Sequence, residues 1–438
     1  MPIAAVVMAA GLGTRMRSSV PKHLHPVLGR RMVDWVLEAA HGLPADPLVV
    51  VASPSTRDSF EGVDVAVQEQ PLGTGDAARS ARAALEGRAE HVLVLSGDTP
   101  LLTTELLAGL AETNRREDAA ATVLTFVPDD PRAYGRVLRD EDGHVRRIVE
   151  ARDATPEELE VREVNSSIYV FRADRLWPAL ERLEPRNAQG ELYLTDAVGA
   201  LVEAGGLVAA HVAPDPREAE GVNTRVELAA AAAGLRDRIN ERHMLAGVTL
   251  VDPASTWIEP EVELEPDVVV HPWAYLRGAT RVGAGAEILS HTVAVDASVG
   301  SGAVVGPFCY LRPGTALEPD SKAGTFVEMK NARVGARTKV PHLSYIGDAE
   351  IGEDTNVGAG AITANFPHQP GQPKHRTTIG RNVRTGVQNA FVAPVEIGDG
   401  AWTAAGSTIT HDVPADALAV ARARQRNKEG YAARHRDD

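Results

Sequence analysis

One cysteine, Cys309, stands among 438 residues, which excludes an internal disulfide framework and a cysteine-built zinc centre and points to a reducing compartment. Aromatic residues are scarce at 4% while hydrophobic residues reach 44%, so Ala, Val, Leu and Ile must build the interior, as in parallel sheets or a regular solenoid. Positive charge is also short. A formal net charge of -15 leaves no large basic surface to displace counterions from a polyphosphate backbone, and a generic nucleic-acid binder is excluded. No apolar run approaches a membrane span, and the chain opens on a strand rather than on a basic leader with a cleavage site. A cytoplasmic protein without a membrane partner is expected.

What is present begins at residue 3. The apolar run Ile3 to Val7 fits a buried parallel strand, and Met8-Ala9-Ala10-Gly11-Leu-Gly13-Thr14-Arg15-Met16 follows it, with Pro21-Lys22 close behind. Glycines there let backbone N–H groups approach an anion, and Arg15 and Lys22 add cations, so the stretch reads as a cradle for a nucleoside triphosphate. A dinucleotide fingerprint would need a third glycine near Met16, and a P-loop would need Gly-Lys-Ser/Thr; neither is there. For Gly11-x-Gly13 alone, a plain strand-to-helix turn is the competing reading. His23 and His25 follow Lys22 at i, i+2 spacing to each other with no Cys or Glu nearby, which is a weak metal pattern.

The chain is too long for one core, so two domains are expected. Up to about residue 224, strand candidates (Ile3 to Met8, Leu48 to Ala52, Val92 to Leu95, Ala121 to Val127) alternate with helix candidates. The latter are Met32 to His41, Asp76 to Leu85, Thr104 to Ala111 and Thr195 to Ala204. This pattern predicts a mostly parallel, helix-covered α/β sheet, Rossmann-like, with ligands beyond the strands' carboxyl ends, where the glycine loop and Ser96-Gly97-Asp98 both fall. An Ala-rich stretch over 225–247 reads as a linker helix. From 248 to 438 the texture changes. Small apolar residues recur every sixth position, at Val305, Leu311, Leu317, Ala323 and Met329, and again at Ile379, Thr385, Phe391, Ile397, Thr403 and Ile409. That period predicts a parallel β-helix whose stacked coils share a continuous core. Five-residue steps from Met329 to Val334 and from Ile346 to Ile351 break the register, so the turns there must tighten or bulge. The segment Asn365 to Arg376 should protrude as a loop.

Several motifs now stand in order: Ala9-Ala10-Gly11-x-Gly13-Thr-Arg15-Met, Pro21-Lys22, Leu72-Gly73-Thr74-Gly75, Gly97-Asp98, Tyr134-Gly135-Arg136 and Glu220-Gly-Val-Asn223. The second half adds Leu311-Arg312-Pro-Gly314, Phe326-Val-Glu-Met-Lys330, His342-Leu-Ser-Tyr345-Ile-Gly-Asp348 and Val357-Gly-Ala-Gly360. Together they resemble, end to end, the bifunctional N-acetylglucosamine-1-phosphate uridylyltransferase / glucosamine-1-phosphate N-acetyltransferase family. The resemblance implies an N-terminal nucleotidyltransferase, a left-handed β-helix, and a homotrimer with acetyltransferase sites between neighbouring chains.

For the first half it implies attack of a sugar-1-phosphate oxygen on the α-phosphorus of UTP, assisted by Mg2+ held by Asp98 and Asn223. Lys22 and Arg15 would contact phosphates, Gln68, Gly73 and Thr74 the uracil, and Gly135, Glu150 and Asn165 the N-acetylglucosamine 1-phosphate. Ala9, Ala10, Gly11 and Gly13 would form the nucleotide loop. Taken singly, Asp98 also reads as a strand-end cap and Asn223 as a helix N-cap.

For the second half the resemblance implies acetyl transfer from acetyl-CoA to the amine of glucosamine 1-phosphate. His342 would be the general base, since histidine is the side chain that ordinarily titrates near neutrality. Arg312, Lys330, Tyr345, Asn356 and Lys374 would hold the amino-sugar phosphate, and Asn365, Phe366, Ala405 and Arg422 the acetyl-CoA. The basic stretch Arg422 to Arg436 reads as a C-terminal arm reaching a neighbouring subunit.

Four departures from the family pattern are visible. Asp76 stands where His is usual, Ser166-Ser167 where Thr-Gly is usual, Phe366-Pro367-His368 where Tyr-Asp-Gly is usual, and Val387-Gln388 where Ser-Asp is usual. Val387 removes a hydroxyl near the acyl donor. Two other readings therefore stay open: a sugar-1-phosphate nucleotidyltransferase whose β-helix mainly trimerises, and a non-catalytic nucleotide-sugar-binding scaffold.

Overall fold

A computed structural model describes residues 3–11, 13–131, 133–367 and 371–436. The chain divides into two compact units, Met1–Leu235 and Arg236–Asp438, the division falling inside the helix Arg225–Leu245. Leu12 and residues 368–370, which belong to the glycine loop and to the predicted protruding loop, lie outside the described residues.

In the first unit the strand Ile3–Ala9 is buried along its whole length, as a central parallel strand with both faces covered must be. It pairs in parallel with Ala45–Ala52 on one side and His91–Ser96 on the other. Across the sheet the order is Val208–Val212, Ala121–Phe126, Val164–Arg172, His91–Ser96, Ile3–Ala9, Ala45–Ala52, Asp64–Val67. Val164–Arg172 runs antiparallel to both its neighbours. A hairpin of Arg136–Arg139 and Val145–Val149 extends the sheet beside it. Alternate residues of each strand enter separate cores on the two faces, one holding Met8, Val94 and Trp177, the other Val7, Leu93 and Leu110. The consequence is an open edge at the strand ends, where Gly97 N donates to Met8 O at 3.0 Å and so joins the glycine loop to Asp98.

The second unit is a parallel β-helix. Short strands stack coil upon coil into a 6-stranded sheet and a 15-stranded sheet. Residues of the six-residue register point inward: Val305, Leu311, Ala323, Met329, Phe391 and Ile397 are all buried. The two shortened steps are resolved by continuous strands. Glu328–Val334 and Tyr345–Ile351 run straight through the corner, with Ala332 and Ala349 filling the narrowed interior. This fuses two faces into the single 15-stranded sheet, because Glu328–Val334 pairs with Tyr310–Leu311 and also with Ala316–Leu317.

Candidate functional site

At the carboxyl edge of the first unit's sheet lies a cavity of ≈ 560 Å³. Its lining includes Ala10, Gly11, Gly13, Arg15, Lys22, Gln68, Gly73, Thr74, Asp98, Gly135, Glu150, Asn165 and Asn223, so segments far apart in sequence meet on one wall. Ala9 is the exception among the predicted positions: its side chain packs into the core below. Charge concentrates at one point. Lys22 Nζ donates to Asp98 Oδ2 and, at 2.9 Å, to Asn223 Oδ1, which also accepts from Arg15 Nη2 at 2.8 Å. Two oxygen donors from segments far apart in sequence thus converge on a single cation.

Burial by itself would push the Asp98 carboxyl up. The Lys22 ammonium, the His23 ring and hydrogen bonds from Lys22 and Ser96 outweigh it and hold the group down to about 2. Ser96 Oγ donates at 2.6 Å, and Val222 N anchors the Asp98 main chain at 2.8 Å. Asp98 is therefore an ionised group facing the cavity rather than a helix cap. The same distinction holds for Asn223. Capping of the helix Arg225–Leu245 is done by its neighbours: Glu227 N donates to Thr224 Oγ1 at 3.2 Å, and the Glu227 carboxylate accepts from Thr224 N and Asn223 N at 2.8 and 2.7 Å. The Asn223 amide is left to meet Lys22 and Arg15.

At one end of the cavity, Gln68 reaches the loop before the helix Thr74–Ser80. Gly73 holds φ 116, and a Cβ there would lie 2.5 Å from Leu192 O, so only glycine lets the loop close on Leu192. Thr74 Oγ1 accepts from Leu194 N at 3.0 Å. The other end is built from the hairpin and the antiparallel strand. Asn165 N donates to Gly135 O at 2.9 Å, and Thr195 Oγ1 donates to Glu150 Oε1 at 3.3 Å. Burial raises the Glu150 carboxyl above its ordinary value, the Thr195 hydrogen bond opposing. Ser167, in place of the usual Gly, sits at φ 63 and is held there by a 3.0 Å bond from its N–H to Asn165 Oδ1.

In the β-helix, one face carries outward pairs on successive coils. Tyr310 and Arg312 bracket inward Leu311, Glu328 and Lys330 bracket Met329, and Tyr345 and Gly347 bracket Ile346, all in parallel register. Arg312 Nη1 donates to Glu328 Oε1 at 2.8 Å. Gly347 is buried and lets the Tyr345 phenol and the Asn365 amide close over it: a Cβ there would lie 2.7 Å from Tyr345 Cζ and 2.8 Å from Asn365 Nδ2. Asp348 gathers this end, accepting from Asn331 Nδ2 at 2.6 Å and from Asn365 Nδ2, with Lys374 Nζ at 3.9 Å.

His342 is exposed at the preceding corner, where Ser344 Oγ donates to its carbonyl at 2.7 Å. Backbone bonds run down that corner from coil to coil: Leu343 N to Thr325 O (2.9 Å), Gly360 N to His342 O (3.3 Å), Gln388 N to Ala359 O (2.7 Å) and Gly406 N to Val387 O (2.9 Å). One column thus aligns His342, Ala359 and Val387, with Ala405-Gly406 on the next coil. A Cβ on Gly406 would lie 3.9 Å from Arg422 Cδ. Asn356 stacks one corner away, in bridge register with Lys339 and Arg384, and Phe366 is exposed.

Residues 5–197 match the family described as MobA-like NTP transferase domain. Along the whole chain, a protein of Streptomyces avermitilis named bifunctional protein GlmU is 48% identical over 460 aligned residues, covering 99% of this chain and 95% of that protein. Its namesake in Mycobacterium tuberculosis is 47% identical over 461 residues, covering 99% and 92%. The chain belongs to the GlmU family.

Within that GlmU frame, the cavity contains residues to which sequence reasoning assigned no role in it. His23 is 5% exposed and lines the wall beside Asp98; burial pushes it down to about 4, with Asp98 opposing and Lys22 adding. Tyr134 accepts from Gly221 N at 3.3 Å and is pushed up to about 12 by burial. The pattern Thr224-x-x-Glu227 is a local capping signal, and it marks a helix start rather than a support for Asn223. No helix among the described residues is long and apolar enough to cross a membrane.

Proposed function

We infer that the chain makes UDP-N-acetylglucosamine by two reactions: acetyl transfer from acetyl-CoA to glucosamine 1-phosphate at the β-helix, then uridylyl transfer from UTP to N-acetylglucosamine 1-phosphate in the first unit. The observation that carries this is the convergence of Asp98 and Asn223 on one cation in a cavity that is also lined by Gln68 and Gly73 and by Glu150 and Asn165. Oxygen donors of this kind suit Mg2+, which would neutralise charge on the triphosphate as pyrophosphate leaves. Asp98 and Asn223 would hold it. Arg15 and Lys22 then turn to the phosphates, while Glu150 and Asn165 orient the sugar so that its phosphate oxygen faces the α-phosphorus.

Lys22 occupies the place such a metal would take, so the two compete. In the absence of nucleotide, Lys22→Ala is expected to bind Mn2+ about tenfold more tightly, because a neighbouring positive charge is gone, although turnover falls. Titration followed by electron paramagnetic resonance reads this directly. Unchanged affinity would show that the ammonium does not share the site.

At the second site the amine of glucosamine 1-phosphate attacks the thioester carbonyl, His342 takes the amine proton, and the coenzyme A thiolate leaves. Arg312 and Lys330 neutralise the sugar phosphate. Val387 supports a second reading, nucleotidyl transfer without acetyl transfer, because it puts an isopropyl group in the His342 column. The deciding assay supplies glucosamine 1-phosphate, acetyl-CoA, UTP and Mg2+ and follows free thiol and pyrophosphate separately. Supplying N-acetylglucosamine 1-phosphate directly tests the second step alone. Absence of pyrophosphate there would remove the uridylyltransferase, and absence of thiol in the full mixture the acetyltransferase.

We also propose a homotrimer assembled along the same corner. Trp273, His291, Phe308 and Phe326 stack there with ring centroids 6.3, 4.6 and 5.3 Å apart, each residue at positive φ, and Trp273, Phe308, Phe326 and Leu343 are 62, 47, 56 and 60% exposed. An apolar ladder of this length is covered in soluble proteins, and it leads into the His342 column. Replacing Phe308 and Phe326 with Asp should yield monomers by sedimentation, with acetyl transfer lost and uridylyl transfer kept. A trimer surviving both changes would place the interface elsewhere.

A further inference from the structure

Gln68 is 6% exposed and lines the cavity. Its amide nitrogen donates to Gly73 O and to Asp76 Oδ2, each at 3.0 Å. Both partners only accept. The second Asp76 oxygen is held by Arg79 Nη2 at 2.6 Å, and the Asp76 side chain is 12% exposed, so the carboxylate has a fixed seat. The Gly73 carbonyl is fixed in turn, since Leu192 N donates to Leu72 O at 2.7 Å and Gly75 N donates to Leu192 O at 2.8 Å.

A primary amide nitrogen has two protons, and both are engaged. The flipped amide would set its oxygen against two acceptors, so chemistry alone fixes which atom faces which partner. What remains for a ligand is Gln68 Oε1, to which no donor is bonded among the described residues. The recess therefore presents an acceptor.

We propose that Asp76 is a positioning residue that sets base specificity: by locking the Gln68 amide it selects a pyrimidine with an N3–H donor, as in uracil, and rejects cytosine, whose N3 is itself an acceptor. This rests on the reading that a uridine nucleotide lays its base at Gln68. In Asp76→Asn the new amide can donate to Gln68 Oε1 and allow the flipped orientation. Asp76→Ala removes the lock without offering that alternative.

The experiment compares kcat/KM for UTP and CTP in the wild type, Asp76→Asn, Asp76→Ala and Gln68→Ala, with pyrophosphate as readout. Calorimetric binding of the two nucleotides and thermal melting of each variant accompany it. The expected result is a UTP:CTP ratio lowered about tenfold or more in Asp76→Asn and less in Asp76→Ala, carried by KM rather than kcat, with folding retained. A ratio unchanged in both Asp76 variants but lowered in Gln68→Ala would overturn the proposal and leave the base placement standing. A ratio unchanged in all three would overturn both. No pyrophosphate from UTP with the wild type would instead defeat the uridylyltransferase itself.

Discussion

Asp98→Ala should lower pyrophosphate release on the order of a thousandfold or more while leaving thiol release from acetyl-CoA untouched. The size follows from what the carboxylate does in the folded chain. Asp98 carries the acidic group that pairs with Lys22 in the cavity, and it remains ionised down to about 2 because the Lys22 ammonium, the His23 ring and two hydrogen bonds outweigh the cost of burial. Removing it leaves Lys22 and Arg15 together at Asn223 Oδ1 without the carboxylate that pairs with Lys22, so a divalent ion would lose its anionic ligand and the cations their alignment. Asp98→Asn separates these contributions. It keeps an oxygen donor and the shape, and should fall between wild type and alanine. Quenched assays with N-acetylglucosamine 1-phosphate and UTP measure both variants, and a decrease of less than tenfold in Asp98→Ala would show that the metal-binding role belongs to other residues.

The second large effect is at the other unit. His342→Ala should reduce thiol release about 10²–10⁴-fold, the usual worth of a positioned general base, with pyrophosphate release from N-acetylglucosamine 1-phosphate unchanged. His342 stands at a corner where its main chain is tied to both neighbouring coils through Leu343 and Gly360, so the imidazole is carried by a rigid rung. No side-chain partner holds the ring among the described residues, and it is exposed in the single chain. His342→Gln, similar in reach but unable to take a proton at neutral pH, should be as impaired as alanine. If glutamine restored acetyl transfer, the ring would be a binding group and the base would have to be found elsewhere.

Much of this was legible in the sequence, for reasons that differ between the halves. The six-residue period is a local signal repeated many times, and the inward positions Val305, Leu311, Ala323 and Phe391 could be read one by one. What the period could not show was how the short steps would be absorbed; that depended on strand continuity through the corner at Ala332 and Ala349. In the first half, apolar runs marked the central parallel strands. Val164–Arg172 was missed because its apolar run begins only after Asn165-Ser166-Ser167, and Val208–Val212 because Ala209-Ala210-His211 interrupt its β-branched residues.

The site was legible where a motif carried the residues. Lys22, Asp98 and Asn223 were found as candidates; the cap reading of Asn223 fails because Thr224 and Glu227 do the capping, and that of Asp98 because its carboxylate is held by Lys22 and Ser96. His23 and Tyr134 were not assigned roles, since only tertiary folding sets them against Asp98 and Gly221. Asp76 looked like a helix-start acid. Its bond to Gln68 is a fact of three dimensions.

The corner column of the β-helix has a further consequence. Because each coil contributes its own rung and bonds chiefly to the rungs above and below, single positions on that edge can be exchanged while the spacing of all others stays as it was. Val387 is such an exchange: it is 49% exposed, while the inward-facing Phe391 and Thr403 are buried. A solenoid of this kind lets the range of transferable acyl groups drift by one residue at a time, long before the architecture itself is at risk.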